Sequence, residues 1–170
     1  MQTHGKARFL HAEGVKSMAY TWTNPKTDWG VTTDSSGNYA GDYYCWKDFN
    51  RQKNNLLYLI EYAETMYGNI SSALSGIADK NYTDWIYADE MNEIEKALSA
   101  LDSATYKNGY VSDEHIYTEN GPMPDYKELN RIESACVKLK SQLDTQQSGL
   151  KMLPAIAGIP NSSICDISSL

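Results

Sequence analysis

The residues that could do chemistry in this chain are few and scattered. Its histidines are His4, His11 and His115, and its cysteines are Cys45, Cys136 and Cys165. A lone His in the polar stretch "SDEHIY" reads as a surface residue, because general acid–base work needs a partner nucleophile or carboxylate held beside it. No serine or cysteine neighbourhood has the form of a nucleophile elbow or a triad. Three cysteines without a CxxC make neither a disulfide framework nor a zinc knuckle, so they read as buried free thiols of a protein assembled in a reducing cytoplasm. "DSSGNYAGD" (Asp34 to Asp42) has a faint calcium-loop flavour, but Ser36 stands where a second ligand belongs and no Glu closes the loop, so a turn is expected. Cell-wall hydrolysis would need two carboxylates facing across a cleft. With 22 acidic residues, neither Asp84 nor Glu90 stands out. The expectation is therefore no catalytic residue, no metal, no cofactor and no enzyme. The N-x-[ST] sequons at Asn69, Asn81 and Asn161 carry no weight without a secretory route.

Composition narrows the partners. A formal charge of −7, with basic residues spread thinly, argues against nucleic acid. No apolar run approaches the ~20 residues that span a bilayer, so no membrane role is expected. The aromatic content is unusual: 13 Tyr and 4 Trp against 2 Phe. Side chains with a large apolar body and a polar tip suit half-buried surfaces and interfaces.

The elements that must position these residues are helical. From Trp46 to Tyr67, Phe49, Gln52, Leu56, Leu59, Ala63 and Met66 follow alternating steps of three and four, which is one helical stripe. A second helix is expected at about Ala88 to Ser103 with Met91, Ile94, Leu98 and Leu101 on its stripe. A third is expected at about Tyr126 to Gln147 with Leu129, Ile132, Cys136, Leu139 and Leu143, capped by Asp125 and Glu128. "NISSALSGIA" (Asn69 to Ala78) reads as a short additional helix stopped near Gly76. Residues 18–45 form an irregular arm anchored by aromatics, and residues 1–17 a leader or extension. Residues 148–170 make an extended tail, because Pro154, Gly158 and Pro160 oppose a long helix. The fold class is mainly α: a three-helix repeat or bundle over residues 46–147, with an aromatic N-terminal arm and an extended C-terminal tail.

The three helices share one phrase. Aligned on Asn50, Asn92 and Asn130, an acid stands two residues earlier (Asp48, Glu90, Glu128), an apolar residue one earlier (Phe49, Met91, Leu129), and a leucine nine later (Leu59, Leu101, Leu139). The units lie roughly 40 residues apart, within the range of helical repeats. A helix with one apolar stripe cannot bury it alone, so three most simply bury theirs together. The acids suit the positive end of the helix dipole. The Asn flanks the seam, and its amide is expected to bond the loop backbone leading into its helix.

"YTWTNPKTDW", followed by "DFNRQKNNLLYL", "YADEMNEIEKAL" and "YKELNRIE", resembles small virion-associated proteins of Firmicutes phages and prophages, over about residues 20–140. Their pattern is an early "PKTDW" phrase, then "NRIENN"-like helices. Gln52 and Lys53 replace Ile-Glu in the first helix and Glu93 replaces Arg in the second, while Ser134 and Ala135 replace the paired Asn often seen in the third. The resemblance implies a structural subunit of a phage or phage-like tail, in or near the baseplate or receptor-binding apparatus. It would be assembled in the bacterial host cytoplasm and carried in the virion. Its partners would be other tail or baseplate proteins, and rotational symmetry of tails would make it a homo-oligomer. Trp22, Trp29, Tyr43, Tyr44 and Trp46 are the candidate interface. The alternatives are a carbohydrate-binding receptor module using those aromatics together with Tyr39 on a host-surface glycan, a tail-assembly chaperone, or, more remotely, a small hydrolase.

Overall fold

The computed structural model describes residues 18–105 and 114–157, with side chains up to residue 149. Among them three α-helices pack against one another: α1 (Trp46–Tyr67), α2 (Ala88–Ala104) and α3 (Tyr126–Ala157). The expected stripes form the core. Phe49, Gln52, Leu56, Leu59 and Ala63 of α1 are sealed from solvent. Met91, Ile94, Leu98 and Leu101 of α2 meet them, and Ile132, Cys136, Leu139 and Leu143 of α3 complete the seam. Met66 is only partly buried at its edge. Each fully buried Leu or Ile removes enough apolar surface from water to contribute roughly 1.5–3 kcal/mol.

The helices run parallel. Arg51, Tyr62 and Tyr67 of α1 bond Glu133, Asp144 and Gln146 of α3, so partner numbers rise together along both helices. Glu95 and Thr105, on α2 and at its end, likewise meet Arg131 and Gln142 of α3. Parallel neighbours need long return connections. With α1 about 33 Å long at 1.5 Å per residue, the chain must travel back that far before α2 begins. Linker 68–87 makes this journey outside regular secondary structure except for one 3-10 turn, Leu74–Gly76. That turn replaces the short helix expected over Asn69–Ala78. Ser72 Oγ takes the Leu74 N–H, a local bond that competes with helix, while Leu74 and Ile70 plug into the core.

The termini of the helices have separate causes. α1 stops at Gly68, whose φ of 87° with ψ of −168° is a conformation open essentially to glycine. Thr105 closes α2 by turning both its N–H and its hydroxyl onto the Leu101 carbonyl. α3 continues past Gln147 to Ala157, so the helix takes in residues assigned on sequence to an extended tail. Pro154 lacks a backbone donor and crowds the carbonyl four residues back, at a cost of about 3 kcal/mol in a helix interior; the helix carries it. The leader 1–17 and the remaining tail 158–170 lie outside the described residues.

The lead-in segments lie in the grooves between helices and run opposite to them. Ala19 and Thr23 of the arm bond Glu61 and Asn55 of α1, so the arm descends as α1 rises. In the same way Ile77 and Lys80 bond Lys53 and Asn50. The arm carries one addition that the described parts of the other two lead-ins lack. Residues 30–42 fold back on themselves, with a Thr33–Tyr39 bridge and a tip where Asp34 accepts the N–H groups of Ser36 and Asn38. This is the "DSSGNYAGD" turn, with Gly37 at φ 82°.

Candidate functional site

The shared Asn of each helix grips one residue of an extended segment through both its N–H and its carbonyl. Asn50 accepts from Lys80 N–H at 2.8 Å and donates to Lys80 O at 2.8 Å. Asn92 does the same to Tyr117 at 2.8 and 2.9 Å, and Asn130 to Trp29 at 2.9 Å for both bonds. A side-chain amide offers one donor and one acceptor at the spacing of a neighbouring peptide, so it substitutes for a strand partner. The target, however, is not the segment leading into the Asn's own helix. Asn50 of α1 holds the lead-in to α2, Asn92 of α2 the lead-in to α3, and Asn130 of α3 the lead-in to α1. The three units close a ring, each fastening the start of the next.

A fourth clamp reinforces the arm. Asn55 bonds Thr23 through both groups, at 2.8 and 2.7 Å. The positions corresponding to Asn55 in α2 and α3 are Ala97 and Ala135, both buried. The arm therefore gains a second bidentate asparagine grip, which the described parts of the linkers, tethered at both ends, do without. The shared leucines Leu59, Leu101 and Leu139 have no exposure and anchor the seam further along.

The residues beside each Asn form ion pairs between helices. Arg51 reaches Glu133 at 2.6 Å and Asp48 at 2.8 Å; one unit on, Arg131 pairs with Glu95 and, at 2.9 Å, with Glu128. In the third unit the types are exchanged, with Glu93 in the Arg position and Lys53 in the Glu position. Lys53 turns instead to the Ile77 carbonyl and Asp79, and Lys80 supplies the cation for Glu90. Burial raises the carboxyl groups of Glu95 and Glu133 above their ordinary range. The facing Arg131 and Arg51 pull back toward ionisation without fully offsetting it. Gln52, buried within the stripe, joins Glu133 to the Tyr44 hydroxyl. Burial drives the Tyr44 phenol well above its normal value.

The acids before Asn50 and Asn92 cap their helices. Asp48 accepts the Cys45 N–H at 3.0 Å and Glu90 the Tyr87 N–H at 3.0 Å, each satisfying a donor at the helix start. In α3 the cap is Asp125, which accepts from Lys127 and Glu128, while Glu128 serves Arg131. Cys45 is exposed at the first of these caps and donates to Asp48, so it is not the buried thiol expected from sequence; a cap position lies outside the helix's packed face. Cys136 is buried in the seam, and burial pushes its thiol up and away from the reactive thiolate. Cys165, His4 and His11 lie outside the described residues. His115 is exposed, with its ring 4.6 Å from that of Tyr117.

The five aromatics singled out in the sequence have different fates. Trp29 is buried, edge-on to Tyr44 and within reach of the Lys26 and Arg51 cations. Trp22 rests between Tyr58 and Lys140, half-buried in the α1–α3 groove. Trp46 is half-buried with Lys47 over its ring. Tyr43 stays 73% exposed, edge-on to Tyr39.

Sequence reasoning missed another group. Trp85, Tyr87 and Met123 are exposed by 77, 57 and 54%. They flank a cleft of about 1020 Å³ between the lead-ins to α2 and α3, floored by Met91 and Tyr117. Because the three helices are parallel, Tyr43, Tyr87 and Tyr126 all stand within a few residues of helix starts at one end of the bundle. The available signal was Trp85 in "NYTDWIY", a tryptophan in a segment without helical period. Among the described residues no group of three or more His, Cys, Asp or Glu is placed to hold a metal ion, and no helix is long and apolar enough to cross a membrane. No family model matches the chain, and neither curated proteins nor solved structures show significant similarity to it.

Proposed function

We propose that this chain is a non-enzymatic structural subunit of a phage or phage-like tail, placed in or near the baseplate or receptor-binding apparatus, where it bridges neighbouring virion proteins as part of an oligomer. The repeated "NR"-type helices and the "PKTDW" phrase support the family resemblance. The observation that carries the reading is the exposed aromatic end. Trp85, Tyr87 and Met123 sit on a frame tied by bidentate clamps, where large apolar side chains are presented and not buried. Such side chains, held rigid, are the usual anchors of protein–protein contacts.

A glycan-binding arm finds less support, because Trp29 and Tyr44 spend their faces on internal packing. Quantitative mass spectrometry of particles purified from a strain that encodes the chain tests the proposal. A fixed ratio to known tail proteins is expected. Absence from mature particles would overturn the proposal and favour an assembly factor.

A further inference from the structure

We infer that the cleft between the lead-ins to α2 and α3 receives a segment of a neighbouring virion protein that presents an apolar side chain beside a lysine or arginine. The inference rests on the proposed tail role and specifies the partner's chemistry. The walls are Trp85, Tyr87, Pro122 and Met123, an apolar surface of large side chains open to solvent. Among the described residues the charged groups lining the cleft are Asp89 and Glu119, both carboxylates, and the nearby Lys80, 5.3 Å from the centre of the Tyr87 ring, is already paired with Glu90.

An apolar cleft whose own charged lining is acidic favours a cation next to the inserted group and disfavours an acidic one. A second copy of this chain meeting the cleft face to face would bring the same two carboxylates against each other, since such an interface pairs a surface with itself. The clamp of Asn92 on Tyr117, two bonds of 2.9 and 2.8 Å, holds the two walls at a set separation before any partner arrives.

The test places a photo-crosslinking p-benzoylphenylalanine at position 85 of the full chain, within particles, and identifies the crosslinked peptide by mass spectrometry. A peptide from another particle protein with an apolar residue adjacent to Lys or Arg supports the inference. So does at least a tenfold loss of that crosslink in Glu119→Lys with an unchanged melting temperature. Crosslinks confined to this chain or to an acidic segment, no crosslink at all, or indifference to Glu119→Lys would overturn it while leaving the tail role standing. Absence of the chain from particles would sink both.

Discussion

Asn130 holds both backbone polar groups of Trp29 across 101 residues of sequence, at 2.9 Å each. That contact makes the arm part of the fold, because it seats Trp29 in the interior and closes the ring that Asn50 and Asn92 continue. Removing the amide would strand an N–H and a carbonyl at a partly buried position. Asn130→Ala is therefore expected to lower unfolding free energy by about 2–3 kcal/mol, two hydrogen bonds' worth, in urea denaturation. Asn130→Asp should also destabilise, since a carboxylate can accept from the Trp29 N–H but repels its carbonyl.

The Arg51–Glu133 pair carries a different expectation. Glu133 is almost wholly buried, whereas Arg51 keeps a second partner in Asp48. Glu133→Ala leaves the Arg51 charge facing an apolar gap and should cost about 3 kcal/mol. Replacing both residues together, Arg51→Met with Glu133→Leu, should cost much less. A double-mutant cycle by denaturant titration separates the two.

Stability should fall as pH rises above about 4.5. The folded state holds protons on Glu95 and Glu133 more tightly than the unfolded chain, because burial raises both carboxyls from the ordinary value of 4.5. Asp28, Asp34 and Asp79 are shifted the other way, below 3.8, so their contribution is complete in this range and does not change across it. The melting temperature is thus expected to be higher near pH 4.5 than at pH 7.5. Calorimetry of Glu95→Gln/Glu133→Gln should show most of that difference gone.

Gly68 and Gly76 make a paired comparison. A Cβ at either position meets nothing within 4 Å, but only Gly68 has a positive φ, 87°. Gly68→Ala should cost about 1–3 kcal/mol through backbone strain, and Gly76→Ala should be close to neutral. Thermal melts of the two variants decide.

Much of the fold was legible because apolar spacing dictates which helix face is buried. The predicted bounds of α1, Trp46 to Tyr67, match the helix, and the three stripes lie in the core except for Met66 at its edge. Helix direction was not legible, since a stripe has the same period whether its helix runs up or down; only the long linkers hinted at parallel packing. The repeated Asn was visible as a pattern, but which segment it grips depends on how three units close around one another. Ala157 as the end of α3 ran against the rule for Pro154. In the aromatic set, composition could not say which rings turn inward. Trp29 is covered by contacts from α1 and α3, while Trp85, 56 residues beyond the last member of the "PKTDW" phrase, is left in solvent.

The claim on which the account rests is that each shared Asn fastens the segment entering the next helix. Amide hydrogen exchange at Trp29, Lys80 and Tyr117, measured in the parent and in Asn130→Ala, Asn50→Ala and Asn92→Ala, tests it most directly. Protection is predicted at all three amides in the parent. Each variant should lose it first and most at its own partner: Trp29, Lys80 and Tyr117 respectively. Unprotected amides in the parent, or losses that ignore this pairing, would contradict the ring.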